Sequence, residues 1–237
     1  MPVQFSPDYT LMTFSAEKPG ASMYYHVLNG AEWRRIWVAG DIHGCRRELE
    51  AQLQHHQFDP QQDLLISVGD IIDRGPDSLG CLALLDEPWF RCVRGNHEEM
   101  ALSALQGQEM ALWRMNGGDW FFGLRGAALI AARHALRRCR ALPLILHLQL
   151  GERIIVIAHA DYPAREYALN KPLDWQQVVW SRERLEGLES GDQAGIRGAD
   201  AFYFGHTPLK QPLTIANLHY IDTGAVFGNH LTMLQLK

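Results

Sequence analysis

Cysteine is scarce in this chain and badly placed for metal or disulfide work. Cys45, Cys81, Cys92 and Cys139 are its four, and none forms a CxxC pair. Their spacing excludes the stapled scaffold of a small secreted domain, so they are expected as buried thiols in a reducing compartment. Long apolar runs are missing too: no segment approaches the ~20 residues of a membrane span. The opening MPVQFSPDYT has no basic stretch leading into an apolar core. The expectation is a cytoplasmic protein with no membrane partner. Positive charge is in short supply, with 22 Lys and Arg against 27 Asp and Glu and a net charge of −5. A broad basic surface for nucleic acid is thereby excluded, and any anionic ligand must be held locally. The chain also has no internal repeat and no low-complexity segment.

What is present is ordinary globular material. The 237 residues are 47% hydrophobic and 21% charged, enough for one large core. Residues 31–237 are expected as a single domain. Residues 1–30, with Pro, Gly and few periodic apolar positions, are expected as an extended or mobile arm. RRIWVAG (34–40) reads as a strand, and CRRELEAQLQHHQF (45–58) as a helix with Leu49, Leu53 and His56 at helical intervals. LLISVG (64–69) and WFRCVRG (89–95) repeat the strand pattern, and SLGCLALLDE (78–87) and EEMALSALQG (98–107) the helical one. The result is an α/β fold with a βαβαβ core, a mostly parallel sheet with helices expected on both faces. Residues 108–141 read as a helical insertion. The apolar segments 143–150, 153–159, 201–206, 213–222 and 231–236 read as a second, mixed or antiparallel sheet.

Each early strand ends in a polar cluster: GDIHG (40–44), GDIIDRG (69–75) and RGNHE (94–98). Two later ones end in Ala158-His159-Ala160 and Gly205-His206-Thr207. In open α/β sheets ligands bind at the carboxyl ends of the strands, so the clusters should converge. Convergence would gather Asp41, His43, Asp70, Asn96, His159 and His206, a set too polar to bury without cations. Imidazole, carboxylate and amide donors without thiolate suit Mn²⁺, Fe or Zn²⁺ better than Ca²⁺, and six ligands exceed one tetrahedral site. Two divalent ions, best Mn²⁺, are therefore expected. Asp41, His43 and Asp70 would take one ion, and Asp70, Asn96, His159 and His206 the other, with Asp70 as the bridge. Paired ions of this kind clamp a phosphoryl group.

Phosphoryl chemistry also needs planar, permanently charged donors, and Arg74, Arg94 and Arg182 stand beside the clusters. His97 follows Asn96, and Asp73 could accept its second ring hydrogen. The remaining histidines, His26, His55, His56, His134, His147, His219 and His230, are expected at the surface or in packing. Asp161 and Asp222 are candidates to support the ligands. Arg125, Arg133, Arg137, Arg138 and Arg140 read as a solvated helix face, and Trp113, Trp120, Phe121 and Phe122 as core beneath the helical insertion.

GDIHG, GDIIDRG, RGNHE, the isolated His159 in IAHADYP and the GHT at 205–207 resemble the ordered signature of the PPP family of metal-dependent serine/threonine phosphatases. HADYP and WSRER are similar to its bacterial and phage branch, and the likeness runs from about residue 35 onward. It implies a calcineurin-like metallophosphoesterase β-sandwich with flanking helices. It implies metal ligands at Asp41, His43, Asp70, Asn96, His159 and His206, and phosphate contacts at Arg74 and Arg182. His97, partnered by Asp73, would be the general acid; Arg94 is not carried over. The activity implied is in-line hydrolysis of phosphoserine and phosphothreonine in proteins by a hydroxide held between the ions, with phosphotyrosine as a further candidate. Phosphorylated proteins are the implied partners. A departure from the eukaryotic members is HAD where they have HGG. A dinucleoside polyphosphate hydrolase or another phosphodiesterase is the rival on the same fold, and Asp73 weighs against the former. A non-catalytic scaffold is the rival of another class, and would be expected to have lost ligands or arginines.

Overall fold

In the computed structural model, which describes residues 24–188, 191 and 194–237, an initial strand β1 (Tyr25–Asn29) precedes a run of alternating elements. These are β2 (Arg35–Ala39), α1 (Arg46–His55), β3 (Asp63–Ser67), α2 (Ser78–Ala83), β4 (Phe90–Cys92) and α3 (Asn96–Leu105). The insertion follows: α4 (Met110–Trp113), a π turn at Arg114–Gly118, α5 (Asp119–Phe122) and α6 (Gly126–Arg138). Then come β5 (Ile145–Leu150), β6 (Arg153–Ala158), α7 (Trp175–Trp180), α8 (Glu183–Gly187), β7 (Ala201–Phe204), β8 (Leu213–Ile215), β9 (Leu218–Tyr220) and β10 (Met233–Gln235).

Two sheets result, with strand orders β10-β2-β3-β4 and β1-β5-β6-β7-β9-β8. Strands β2, β3 and β4 are parallel, Ala39 lying beside Ser67 and Ser67 beside Cys92. Both faces of β2 and β3 are apolar because both are covered, but by different partners. Ile36, Val38, Leu64, Ile66 and Val68 pack on Leu146, Leu148, Ile155 and Ile157 of the second sheet. The alternate residues Trp37, Ala39 and Leu65 pack on Leu49, Leu82, Met100 and Ala101 of the helices. The outer face of the second sheet, with Val156, Ala158, Phe202 and Phe204, is covered by Val178 and Val179 of α7. The layers are helix, sheet, sheet, helix.

Four expectations change here. Helices cover one face of the first sheet, not both; the second face is taken by the other sheet. Residues 213–222 form a hairpin rather than one strand, β8 and β9 pairing antiparallel about Ala216, which has φ 51°. The final strand β10 joins the first sheet, antiparallel to β2, instead of the second. Part of the expected arm is a strand: β1 pairs parallel with β5, Tyr25 beside Ile145. The rest of that arm, residues 1–23, lies outside the described residues. All four cysteines are buried and free.

Candidate active site

The parallel direction of β6 and β7 brings His159 and His206 out at one edge, joined by a hydrogen bond from Gly205 N to the His159 carbonyl at 2.7 Å. The turn after β2 is tied to the turn after β3 at the same edge. His43 N donates to Asp70 O at 2.8 Å and Gly44 N to Ile71 O at 2.9 Å. Glu98, a residue outside the expected ligand set, does most of the bracing. The buried Glu98 carboxylate accepts from the peptide N–H groups of Asp70 (2.9 Å), Ile71 (3.0 Å) and Gly95 (2.9 Å). A Glu at the third position of α3 is a capping-box signal, readable in RGNHE. Gly205 is required by approach: a Cβ there would overlap the Asp41 carboxylate. Of the nine non-glycine residues with positive φ among the described residues, five are His43, Asp70, Asp73, Arg74 and His206. Backbone strain is thus concentrated where the clusters meet.

Four buried imidazoles face one another there, and each has one ring nitrogen held by the wall. His43 Nδ1 donates to the Ile72 carbonyl (2.8 Å), His159 Nδ1 to the Val68 carbonyl (2.8 Å) and His206 Nε2 to the Trp180 carbonyl (3.1 Å). A carbonyl only accepts, so the bound nitrogen carries a proton and the other is turned inward, where it can ligate once unprotonated. His97 differs: its Nδ1 meets a carboxylate, Asp73 Oδ2, at 2.7 Å, and its buried Nε2 has no partner.

The inward atoms surround Asp70. Its Oδ1 accepts from His97 N at 2.9 Å, and its Oδ2 lies 3.3 Å from His159 Nε2, 3.7 Å from His43 Nε2 and 3.9 Å from His97 Nε2. Asn96 Oδ1 is 2.9 Å from His159 Nε2 and 3.0 Å from His206 Nδ1. The Asp41 carboxylate accepts from His206 N at 3.1 Å and comes within 4.0 Å of His43 Nε2. Among the described residues two donor triads stand out, His43-Asp70-His97 and Asp70-His159-His206, each with donor atoms within 4.8 Å of one another. They share Asp70. All six residues expected to gather therefore do so, and His97 joins them.

The electrostatics fit divalent cations. Burial raises the Asp41 pKa, and the neighbouring Asp222 carboxylate pushes it the same way. Burial opposes the Asp70 charge as well, yet His159, His97 and His43 hold its pKa well below the ordinary carboxylate value. Burial lowers His43 and His206 well below the ordinary histidine value, toward the neutral form that ligates. At His159 burial is outweighed by the Asp70 carboxylate and the pKa is raised to about 10, so an ion bound there would take the place of a proton. Two buried carboxylates, an amide oxygen and inward ring nitrogens form a donor set that fits divalent cations.

Around the cradle, Arg74 Nη1 reaches His43 Nε2 at 2.6 Å and its guanidinium lies 5.5 Å from the Phe227 ring. Arg182 precedes α8, and its charge acts on His206. Arg184 binds Asp161 (2.8 Å) and the Tyr162 carbonyl (2.9 Å), tying WSRER to HADYP, so Asp161 supports the arginine turn rather than a ligand. Asp222 accepts from Gly224 N at 2.8 Å and shapes the loop bearing Phe227. Arg94 turns away, to Glu99 (2.7 Å) and the Leu142 carbonyl (2.9 Å). Trp113 and Trp120, expected as core, are core on one side only: their indole N–H groups donate to Asp73 Oδ2 (2.8 Å) and Oδ1 (2.7 Å).

The calcineurin-like phosphoesterase family model matches residues 34–210, the span that holds every residue of the cradle. The chain belongs to the calcineurin-like phosphoesterase family. It is a hydrolase of phosphoric esters, in a family that depends on divalent metal ions. It is 53% identical over 213 residues to serine/threonine-protein phosphatase 1 of Salmonella typhimurium, covering 90% of this chain and 97% of the relative. It is 42% identical over 216 residues to serine/threonine-protein phosphatase 2 of Escherichia coli, covering 91% and 99%. These matches bear out the resemblance to the bacterial branch of the PPP family. Among solved structures, a candidate diadenosine tetraphosphatase superposes with TM-score 0.70 at 23% identity, covering 90% of this chain and 93% of its own, and thus shares the fold.

Proposed function

We propose that this phosphoesterase removes phosphate from phosphoserine and phosphothreonine in proteins, working in the cytoplasm through a catalytic domain at residues 31–237 to which β1 adds an edge strand. Asp41, His43 and Asp70 hold one divalent ion, and Asp70, Asn96, His159 and His206 the other. Mn²⁺ suits this donor set, with Fe and Zn²⁺ also compatible. Such ions polarise phosphoryl oxygens and lower the pKa of water. Arg74 and Arg182 grip the non-bridging oxygens, where charge grows as the ester bond breaks. The seryl or threonyl oxygen departs opposite the incoming water and takes a proton from His97 Nε2.

One observation carries this assignment of roles: three inward imidazoles are backed by carbonyls, and His97 alone is backed by a carboxylate. A carbonyl fixes which ring nitrogen carries the hydrogen and leaves the other turned toward the ions. The Asp73 carboxylate instead gives His97 an anionic partner for the imidazolium that an acid passes through, against the burial that lowers the His97 pKa to about 3 and raises that of Asp73 to about 7.

The deciding experiment compares leaving groups. His97→Asn should lose roughly 10²–10⁴-fold in turnover of a phosphoserine peptide, whose alkoxide needs a proton. The loss should be clearly smaller on nitrophenyl phosphate, whose phenolate does not, with metal content unchanged. Equal losses would exclude His97 as donor, and loss of metal would make it a ligand. Running phosphotyrosine peptide and diadenosine tetraphosphate beside phosphoserine and phosphothreonine peptides tests the substrate class. A preference for the dinucleotide would overturn it.

A further inference from the structure

We propose that Trp113 and Trp120 are positioning residues for proton transfer, their indole N–H groups fixing the Asp73 carboxylate in the one orientation that aims His97 Nε2 into the site. The proposal rests on the reading of His97 as the acid. Asp73 is fully buried and receives three ring N–H groups: His97 and Trp113 on Oδ2 at 2.7 and 2.8 Å, Trp120 on Oδ1 at 2.7 Å. With both oxygens engaged from different directions, the carboxylate plane cannot turn, and neither can the imidazole bound to it. The indoles are also neutral donors. They stabilise the anion without giving it a competing cation, unlike a Lys or Arg in the same place.

Satisfying an indole is not by itself the reason for the arrangement, because Trp33 and Trp37 have buried Nε1 atoms with no partner. Two indoles meeting one carboxylate is the product of a particular piece of chain. Trp113 ends α4 and Trp120 lies in α5, and the π turn between them seats against the strained pair Asp73 (φ 74°) and Arg74 (φ 66°). Gly117 in that turn accepts from Arg74 N at 3.1 Å; it has φ 105°, and a Cβ on it would meet Arg74 Cγ at 2.6 Å. Non-glycine residues keep such φ values only where the surroundings over-determine them. The helical insertion thus supplies the acid's support, though the strand ends supply every ligand.

The cleanest variant is Trp120→Phe, which removes the N–H and keeps a ring against Trp113. In Mn²⁺-loaded protein it should lose about tenfold in kcat on a phosphoserine peptide, the scale of one charge-assisted hydrogen bond. The loss on nitrophenyl phosphate should stay within about twofold, with KM and metal content unchanged. In an Asp73→Asn background the same change should cost nothing further, because both act through one carboxylate. Additive losses, or equal losses on both esters, would overturn the proposal. A second measurement needs no folded tryptophan variant: the indole N–H resonances of Trp113 and Trp120 should both move upfield in Asp73→Asn, and fixed positions would also overturn it. Equal losses for His97→Asn would remove the acid reading beneath the proposal. Selective losses for His97→Asn combined with an additive cycle would remove the tryptophan proposal alone.

Discussion

The two ends of strand β3 carry buried aspartates with opposite solutions to the same problem. At its start, Asp63 accepts from Arg34 Nε (3.0 Å) and Nη2 (2.9 Å), Arg35 Nε (3.1 Å) and Asp59 N (2.9 Å). Burial alone would raise its pKa, but the two arginines outweigh burial and hold it well below the ordinary carboxylate range. Just beyond the strand's other end, Asp70 faces imidazoles and peptide N–H groups, with buried Asp41, Asp222 and Glu98 nearby acting as further acids. Among the described residues, arginines reach that end at its margin, Arg74 on His43 and Arg182 through its charge on His206. A carboxylate supplied with permanent cations is finished as a structural element; one faced by titratable imidazoles can exchange their protons for cations from solution.

Substitutions at the two ends should therefore dissociate stability from activity. The largest effect is expected at the open end. Asp70→Asn should abolish turnover of a phosphoserine peptide and remove the rise in melting temperature that Mn²⁺ gives the parent protein. Yet the chelated variant should melt within about 3 °C of the chelated parent. A Mn²⁺-dependent shift surviving in Asp70→Asn would break the comparison. Next comes Arg74→Ala, which should cost about 2–4 kcal/mol in kcat/KM while leaving metal content and melting temperature unchanged. Unchanged kinetics would mean that Arg74 does not grip phosphate.

The smallest effect is expected at the paired end. Asp63→Asn should cost about 1–3 kcal/mol of stability, since its arginines are partly exposed and can turn to water. Activity per folded molecule should not change. Because the folded pKa of Asp63 lies below its unfolded value, its contribution is complete above the ordinary carboxylate pKa near ~3.9 and is lost as pH falls through the lower folded value. The gap in melting temperature between Asp63→Asn and the parent should accordingly be widest near neutrality and narrow in acid. A gap independent of pH would show that the ion pair is not its source.

The cradle was readable because each of its residues follows an apolar strand directly, in a short glycine-bearing turn that leaves its side chain little freedom. Such information is local. Glu98 was legible in principle as a helix-capping acid, although its bonds to Asp70 and Ile71 span two loops. The indole bonds to Asp73 were not legible. They join residues 40 and 47 positions apart, and apolar spacing says which face of a helix is buried but not where an N–H on that face points. Arg94 misled for a related reason. It stands beside Asn96 in sequence, but the carbonyls of Arg140 and Leu142 draw its side chain outward. The sheets divide the same way: the βαβαβ core is a matter of alternating periods, whereas β10 beside β2 and β1 beside β5 are long-range choices of edge.

By itself the amino-acid sequence determined which donors would reach the carboxyl ends of the strands: carboxylates at 41 and 70, an amide at 96 and imidazoles at 43, 159 and 206. Type and order along the chain were enough, since strand polarity carries them to one edge. Tertiary structure alone decided which nitrogen of each ring looks inward. That depends on a hydrogen-bond acceptor standing behind the ring, and the carbonyls of Ile72, Val68 and Trp180 and the carboxylate of Asp73 take those positions only once loops from separate strands have packed together.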